Sequence, residues 1–130
     1  MKTKFSTTWN HSKQPRKQRK FAKNAPLHIK RKVVLSAHLS KELREQYGKR
    51  SMTVRKGDKV KVLRGDFKNK TGIIDSVSVV RGLVKIRGIE VIKKDGTKIM
   101  KSIPASNLEI IELNLDDAER KNIINRKSKD

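Results

Sequence analysis

From residue 53 to residue 113 the chain keeps a period of two, and this alternation constrains its fold more than any other feature. "KVKV" (59–62) alternates lysine with valine, and "GIIDSVSVV" (72–80) and "LVKIRGIEVI" (83–92) are rich in β-branched residues. Such runs suit a pleated surface that packs on a core. In the third run the apolar set is Val84 and Ile86, then Ile89 and Val91. The parity changes across Gly88, the mark of a bulge or sharp bend. "KKDGTK" (93–98) carries Asp95-Gly96, a strong hairpin signal. "IMKSI" follows, Pro104 breaks it, and "NLEIIEL" (107–113) reads as a last strand. Four or five short, bent strands predict a mainly β fold, a small barrel over 53–113.

What precedes the alternation is different in kind. Residues 1–55 hold 16 basic and 2 acidic side chains, whereas residues 56–113 hold 13 and 7 and residues 114–130 hold 5 and 4. Two thirds of the +21 net charge therefore lies in the first 55 residues, which points to a basic arm on a more ordinary domain. Residues 1–26 show no apolar period and bury too little alone to offset backbone ordering. A solvated tail or a cleaved transit peptide would also look basic. An arm that orders on RNA better accounts for Phe5, Trp9, His11, Phe21 and His28 among the cations, because aromatic rings stack on unpaired bases. The arm, taken as 1–38 and extended on RNA, ends in a stretch (27–39) that fits strand or helix equally.

Two short helices flank the strands in this reading. In "SKELREQYG", within the 39–52 helix-and-linker segment, Ser40 suits an N-cap, Glu42 the positive helix end and Gly48 the C′ position. Leu39, Leu43 and Tyr47 form one apolar stripe, read as packing. Residues 114–130 predict a C-terminal helix and tail. There Asp116 and Glu119 have capping-box spacing, Asp116/Arg120 and Asp117/Lys121 are i,i+4 pairs, and Ile123 and Ile124 offer a docking face.

Composition narrows the function. A field of +21 attracts polyanions, so nucleic acid or an anionic membrane surface is the natural partner. No stretch approaches the ~20 apolar residues that span a bilayer, and no signal-peptide core follows Met1. Cysteine is absent, which removes disulfides, thiol catalysis and cysteine-ligated zinc. The three histidines have no partners at metal-ligand spacing, and no phosphate loop or nucleophile elbow is present. The sequence predicts no enzyme, no metal, no cofactor, no small-molecule substrate and no membrane insertion.

The segment "KVKVLRGDFKNKTGII" (59–74) holds a loop bounded by Gly65 and Gly72 that carries Arg64, Lys68 and Lys70, more charge than a turn requires. With Gly57-Asp58 before it, "VRKGDKVKVLRGDFKNKTGIIDSVSVVRG" (54–82) resembles a KOW motif, whose structural glycines fall at Gly57, Gly65 and Gly72. Asn69 stands where a KOW loop usually has glycine, and Asn tolerates the left-handed conformation better than most residues. The flanks extend the likeness. Asn24-Ala25-Pro26, His28 and Lys30-Arg31-Lys32, then Leu39 to Arg44, Tyr47 and Arg50-Ser51, then Arg55 to Asp58 with Arg64-Gly65, resemble the large-subunit ribosomal protein family numbered twenty-four, archaeal–eukaryotic branch, numbered twenty-six in eukaryotes. "DGT" and "SIPAS" continue the match over nearly the whole chain.

This resemblance implies an SH3-like barrel and a structural role in the large ribosomal subunit. It implies binding to the 5′ domain of large-subunit rRNA, early action in assembly, and a place near the polypeptide exit tunnel. The implied partners are that rRNA, neighbouring large-subunit proteins and factors at the tunnel, in the cytoplasm. The expected rRNA contacts are Lys13, Arg16, Lys17, Arg19, Lys20, Lys23, His28, Arg31 and Lys32 on the arm, and Arg50, Arg55, Arg64, Lys68 and Lys70 on the domain. Two other readings compete: a KOW module tethering a transcription elongation complex, and a DNA-compacting protein. The first would carry far less charge in its arm, and the second would show a recognition helix or a dimer pattern.

Overall fold

The computed structural model describes residues 12–126, so Phe5, Trp9 and His11 lie outside the described residues. Its elements are α1 (Pro15–Asn24), α2 (Leu27–Val34), β1 (Ser36–Leu39), α3 (Lys41–Tyr47), β2 (Ser51–Thr53), β3 (Lys59–Val62), β4 (Thr71–Ser78), β5 (Leu83–Ile92), β6 (Lys98–Pro104), a 3-10 turn (Ala105–Asn107), β7 (Leu108–Glu112) and α4 (Ala118–Asn125).

The expected closed barrel does not form. The strands make one open seven-stranded sheet in the order β2-β1-β7-β3-β4-β5-β6. Closure requires the two outer strands to pair, and here β1 and β2 extend one edge while β6 forms the other. β7 sits between β3, to which it is antiparallel, and β1, to which it is parallel through Leu39↔Ile110, so the sheet is mixed. Two register shifts bend it without joining its edges, one between Ile74 and Ser76 and one between Lys85 and Glu90. The second contains Gly88, where the change of apolar parity had placed a bulge. Beyond it the β5–β6 hairpin projects with Val91, Ile92 and Ile99 exposed. Its turn is the Asp95-Gly96 one, closed by Lys93 N–H to Thr97 O at 2.9 Å and by Thr97 Oγ1–H to Asp95 Oδ1 at 2.6 Å.

The extended arm is the second correction. Residues 15–34 form two helices and 36–39 a strand. Pro15 opens α1 at its first turn, where a missing N–H costs nothing. Lys, Arg, Gln and Ala are good helix formers, and Lys23 lies at the negative C-terminal end. Pro26 separates the helices because it holds Ala25 in an extended conformation (φ −60°, ψ 143°). Sequence periodicity missed α1 because it buries no residue, so no apolar stripe was needed.

The core is one cluster. Leu35, Ala37 and Leu39 enter it from the α2–β1 segment, Val60 and Val62 from β3, Ile74 from β4, Val84, Ile86 and Ile89 from β5, and Leu108 and Ile110 from β7. The two-residue spacing within β3, the first half of β5 and β7 is the alternation that the sequence displays, and the step of three from Ile86 to Ile89 is its change of parity across Gly88. α3 docks as expected, with Ser40 Oγ accepting from Leu43 N–H and Gly48 closing it in the left-handed conformation.

Candidate nucleic-acid interface

The cations expected to bind RNA stand on three supports. On α1, Arg16, Lys17, Arg19, Lys20 and Lys23 are all exposed, as is Lys13 just before it, and the helix contains no acidic residue. Arg16/Lys20 and Arg19/Lys23 are like-charge i,i+4 pairs, which repel in an isolated helix. This face therefore concentrates positive charge in solvent. On α2, His28, Arg31 and Lys32 are exposed.

The KOW loop is the second support. Its ends are tied by Val62 N–H to Lys70 O and Asn69 N–H to Val62 O, at 2.9 and 2.8 Å. Phe67 packs against the core, and Lys70 Nζ lies 5.1 Å from its ring centroid, a cation–π contact. Arg64 and Lys68 point outward, exposed. Asn69 has φ 68°, so it takes the left-handed conformation that glycine usually supplies in this loop. Of the bounding glycines, Gly65 has φ 95° with open space around it. Gly72 serves the sheet: a Cβ there would sit 2.6 Å from both Arg87 O and Ile86 Cγ2. A side chain there would press into the backbone of β5.

The third support was not legible in the sequence. Asp58 of the Gly57-Asp58 turn is fully buried and receives four hydrogen bonds. Arg55 N–H donates to Oδ2 and Asn114 N–H to Oδ1, both at 2.9 Å. The Arg120 guanidinium grips both oxygens, Nη1 to Oδ1 at 2.6 Å and Nη2 to Oδ2 at 2.7 Å. Arg120 also donates to Asn114 O and Thr53 O, at 2.9 and 3.1 Å. The i,i+4 partners expected along α4 are thus replaced: Arg120 pairs with Asp58, and Asp117 with Arg55. Asp117, rather than Asp116, caps the helix by accepting from Glu119 N–H. That bond, followed by Arg55, holds the Asp117 carboxyl below the usual carboxylate range. Arg55, expected on RNA, therefore spends much of its charge holding α4.

With α4 clamped there, a cavity of about 560 Å³ opens between α2, β2 and α4. Arg31 and Lys32 reach it from α2, Lys49 from the turn before β2, and Arg120 and Arg126 from α4 and its end. Arg50, next in sequence to Lys49, is exposed but does not line it. The Lys49 ammonium donates to Ile123 O, bridging the two walls. Of the lining, sequence reasoning named His28, Arg31, Lys32 and Arg55 but missed Lys49, Arg120 and Arg126, because α2 and α4, about 90 positions apart, come together only through the fold. Among the described residues no group of His, Asp and Glu could hold a metal ion, and no helix is long and apolar enough to cross a membrane.

Comparison with known proteins finds relatives that match along most of the chain. The large ribosomal subunit protein uL24 of Methanosphaera stadtmanae is 46% identical over 116 residues, covering 89% of this chain and 98% of its own. Its counterpart in Methanothrix thermoacetophila is 47% identical over 115 residues, covering 88% and 98%. That of Methanosarcina barkeri is 44% identical over the same length. A family model for the ribosomal proteins called L26 in eukaryotes, with their archaeal counterparts numbered twenty-four, matches residues 12–127, which include α1, α2, the KOW loop and the Asp58–Arg120 clasp. The chain belongs to that family of ribosomal proteins, which is not a family of enzymes.

Proposed function

We propose that this protein is a structural constituent of the large ribosomal subunit that binds large-subunit rRNA. The carrying observation is a family match over 12–127 that spans a surface of exposed cations on α1, α2 and the KOW loop. Their charges neutralise phosphates and release counterions. Recognition rests on rRNA shape and unpaired bases, because side chains cannot read the deep major groove of A-form helices. Lys13, Arg16, Lys17, Arg19, Lys20, Lys23, His28, Arg31 and Lys32 form one contact region. Arg50, Arg64, Lys68 and Lys70 form the other, while Arg55 acts mainly by placing α4. On the family's pattern the target is the 5′ domain of the rRNA, bound early in assembly and close to the exit tunnel. Neighbouring large-subunit proteins and factors at the tunnel are the further partners, in the cytoplasm.

Sedimentation of the tagged native protein from a lysate, with and without RNase, tests the reading. Co-migration with the large subunit, lost on RNase treatment, is expected. Migration with RNA polymerase or chromatin would overturn it.

A further inference from the structure

The cavity between α2, β2 and α4 is more than another patch of charge. Arg31, Lys32 and Arg126 line it, and among the described residues none of them pairs with a carboxylate. Gathering unpaired cations around a concavity is unfavourable unless an anion enters. A second observation points the same way. Arg120, only 2% exposed and part of the wall, leaves its Nε–H without an acceptor. Buried donors are nearly always satisfied, so an orphan beside a basic cavity marks a missing partner.

The lining also selects among anions. Met52 of β2 and Ile123 of α4 contribute apolar atoms to the lining, and Ile123 is 40% exposed although large and apolar. Guanidinium planes stack on bases as well as binding phosphate. The cavity's volume lies within the ~300–1,000 Å³ of small-ligand sites. A duplex presents its phosphates on a convex rod, which cannot enter such a concavity; a nucleotide turned out of its stack can.

We infer that this cavity receives one unpaired nucleotide of a single-stranded RNA segment. Arg31, Lys32 and Arg126 hold its phosphate, and the base lies between Met52 and Ile123. The inference rests on the RNA-binding reading above and adds to it a site and a substrate class.

The test uses the full chain with a dodecamer of uridine carrying 4-thiouridine, and a 12-base-pair RNA duplex as control. Irradiation is expected to crosslink the single strand to the β2 or α4 peptides containing Met52 or Ile123. Uridine monophosphate should compete for this crosslink at lower concentration than inorganic phosphate. Replacing two exposed cations together, Lys32→Gln with Arg126→Gln, should abolish the crosslink. It should also weaken single-strand binding about tenfold, the scale of one lost stacked base, against a smaller loss for the duplex. Lys68→Gln with Lys70→Gln should weaken binding to both RNAs and leave the crosslink in place. Crosslinks confined to α1 or the KOW loop, with RNA binding intact, would overturn the cavity and spare the RNA-binding reading. Equal competition by phosphate would reduce it to a phosphate site and overturn the nucleotide. Failure of the parent chain to bind either RNA would overturn both readings together.

Discussion

At the scale of single residues, the Asp58–Arg120 pair is the costliest feature to disturb. Both side chains are buried, 0% and 2% exposed, and each is the other's ion-pair partner. Arg120→Met would leave a buried carboxylate with only two backbone donors. Breaking one side of such a pair costs about 3–5 kcal/mol, a large share of the ~5–15 kcal/mol of a typical domain. The midpoint of urea unfolding should fall accordingly, and an unchanged midpoint would refute the clasp. Asn69 offers a milder test. Its φ of 68° is accessible to Asn and Gly but strained for a β-branched residue. Asn69→Val should cost about 1–2 kcal/mol, and Asn69→Gly should leave the melting temperature near that of the parent. The left-handed conformation at this position was legible in the sequence, because a turn's demands on φ are local. Arg120 was not legible: read along α4 it belongs with Asp116, and only the fold brings Asp58 closer.

At the scale of elements, α4 is held by charge more than by apolar burial, since of its two isoleucines Ile123 is exposed and Ile124 packs on the core. Asp117 both caps the helix and receives Arg55, and its pKa is lowered from the ordinary 3.8. A group whose folded pKa is lowered stabilises fully above its unfolded pKa and loses that contribution as pH falls through the folded one. The α4 cap should therefore persist at neutral and mildly acidic pH and fail only below the ordinary carboxylate range. The Glu119 amide resonance, followed against pH, reports this directly; a transition at or above 3.8 would contradict it. α1 behaves differently. Five cations on ten residues, with nothing buried, leave little to hold it alone. Its amides should exchange rapidly in the free protein and become protected when RNA is added. Slow exchange in the free protein would show that α1 needs no polyanion.

At the scale of the molecule, the net charge of +21 governs association. If the arm helices and KOW loop together neutralise about eight phosphates, the log–log dependence of affinity on salt should have a slope of around −6, between the single- and double-strand limits. A slope near −1 would rule out a charge-driven interface. The open sheet matters at this scale too. Because β1 and β2 extend one edge, α2 and α4 meet over that end, and their cations line a concavity that a barrel alone would not create.

By itself the sequence determined what depends on neighbours in the chain. The strand alternation, the Asp95-Gly96 turn, the bulge at Gly88, the capped α3 and the basic first half all follow from side-chain period, backbone permissiveness and charge. It also carried the family likeness, since motifs are strings. Tertiary structure decided what depends on distant pairing. Ladders β1–β7 and β1–β2 opened the sheet that local bends suggested would close. Helix won over extension in residues 15–34, where no buried stripe announced it. The Asp58–Arg120 clasp joins side chains 62 positions apart. Local preferences can be read along one dimension, but which charges meet in a low-dielectric interior is settled only when the chain has returned on itself.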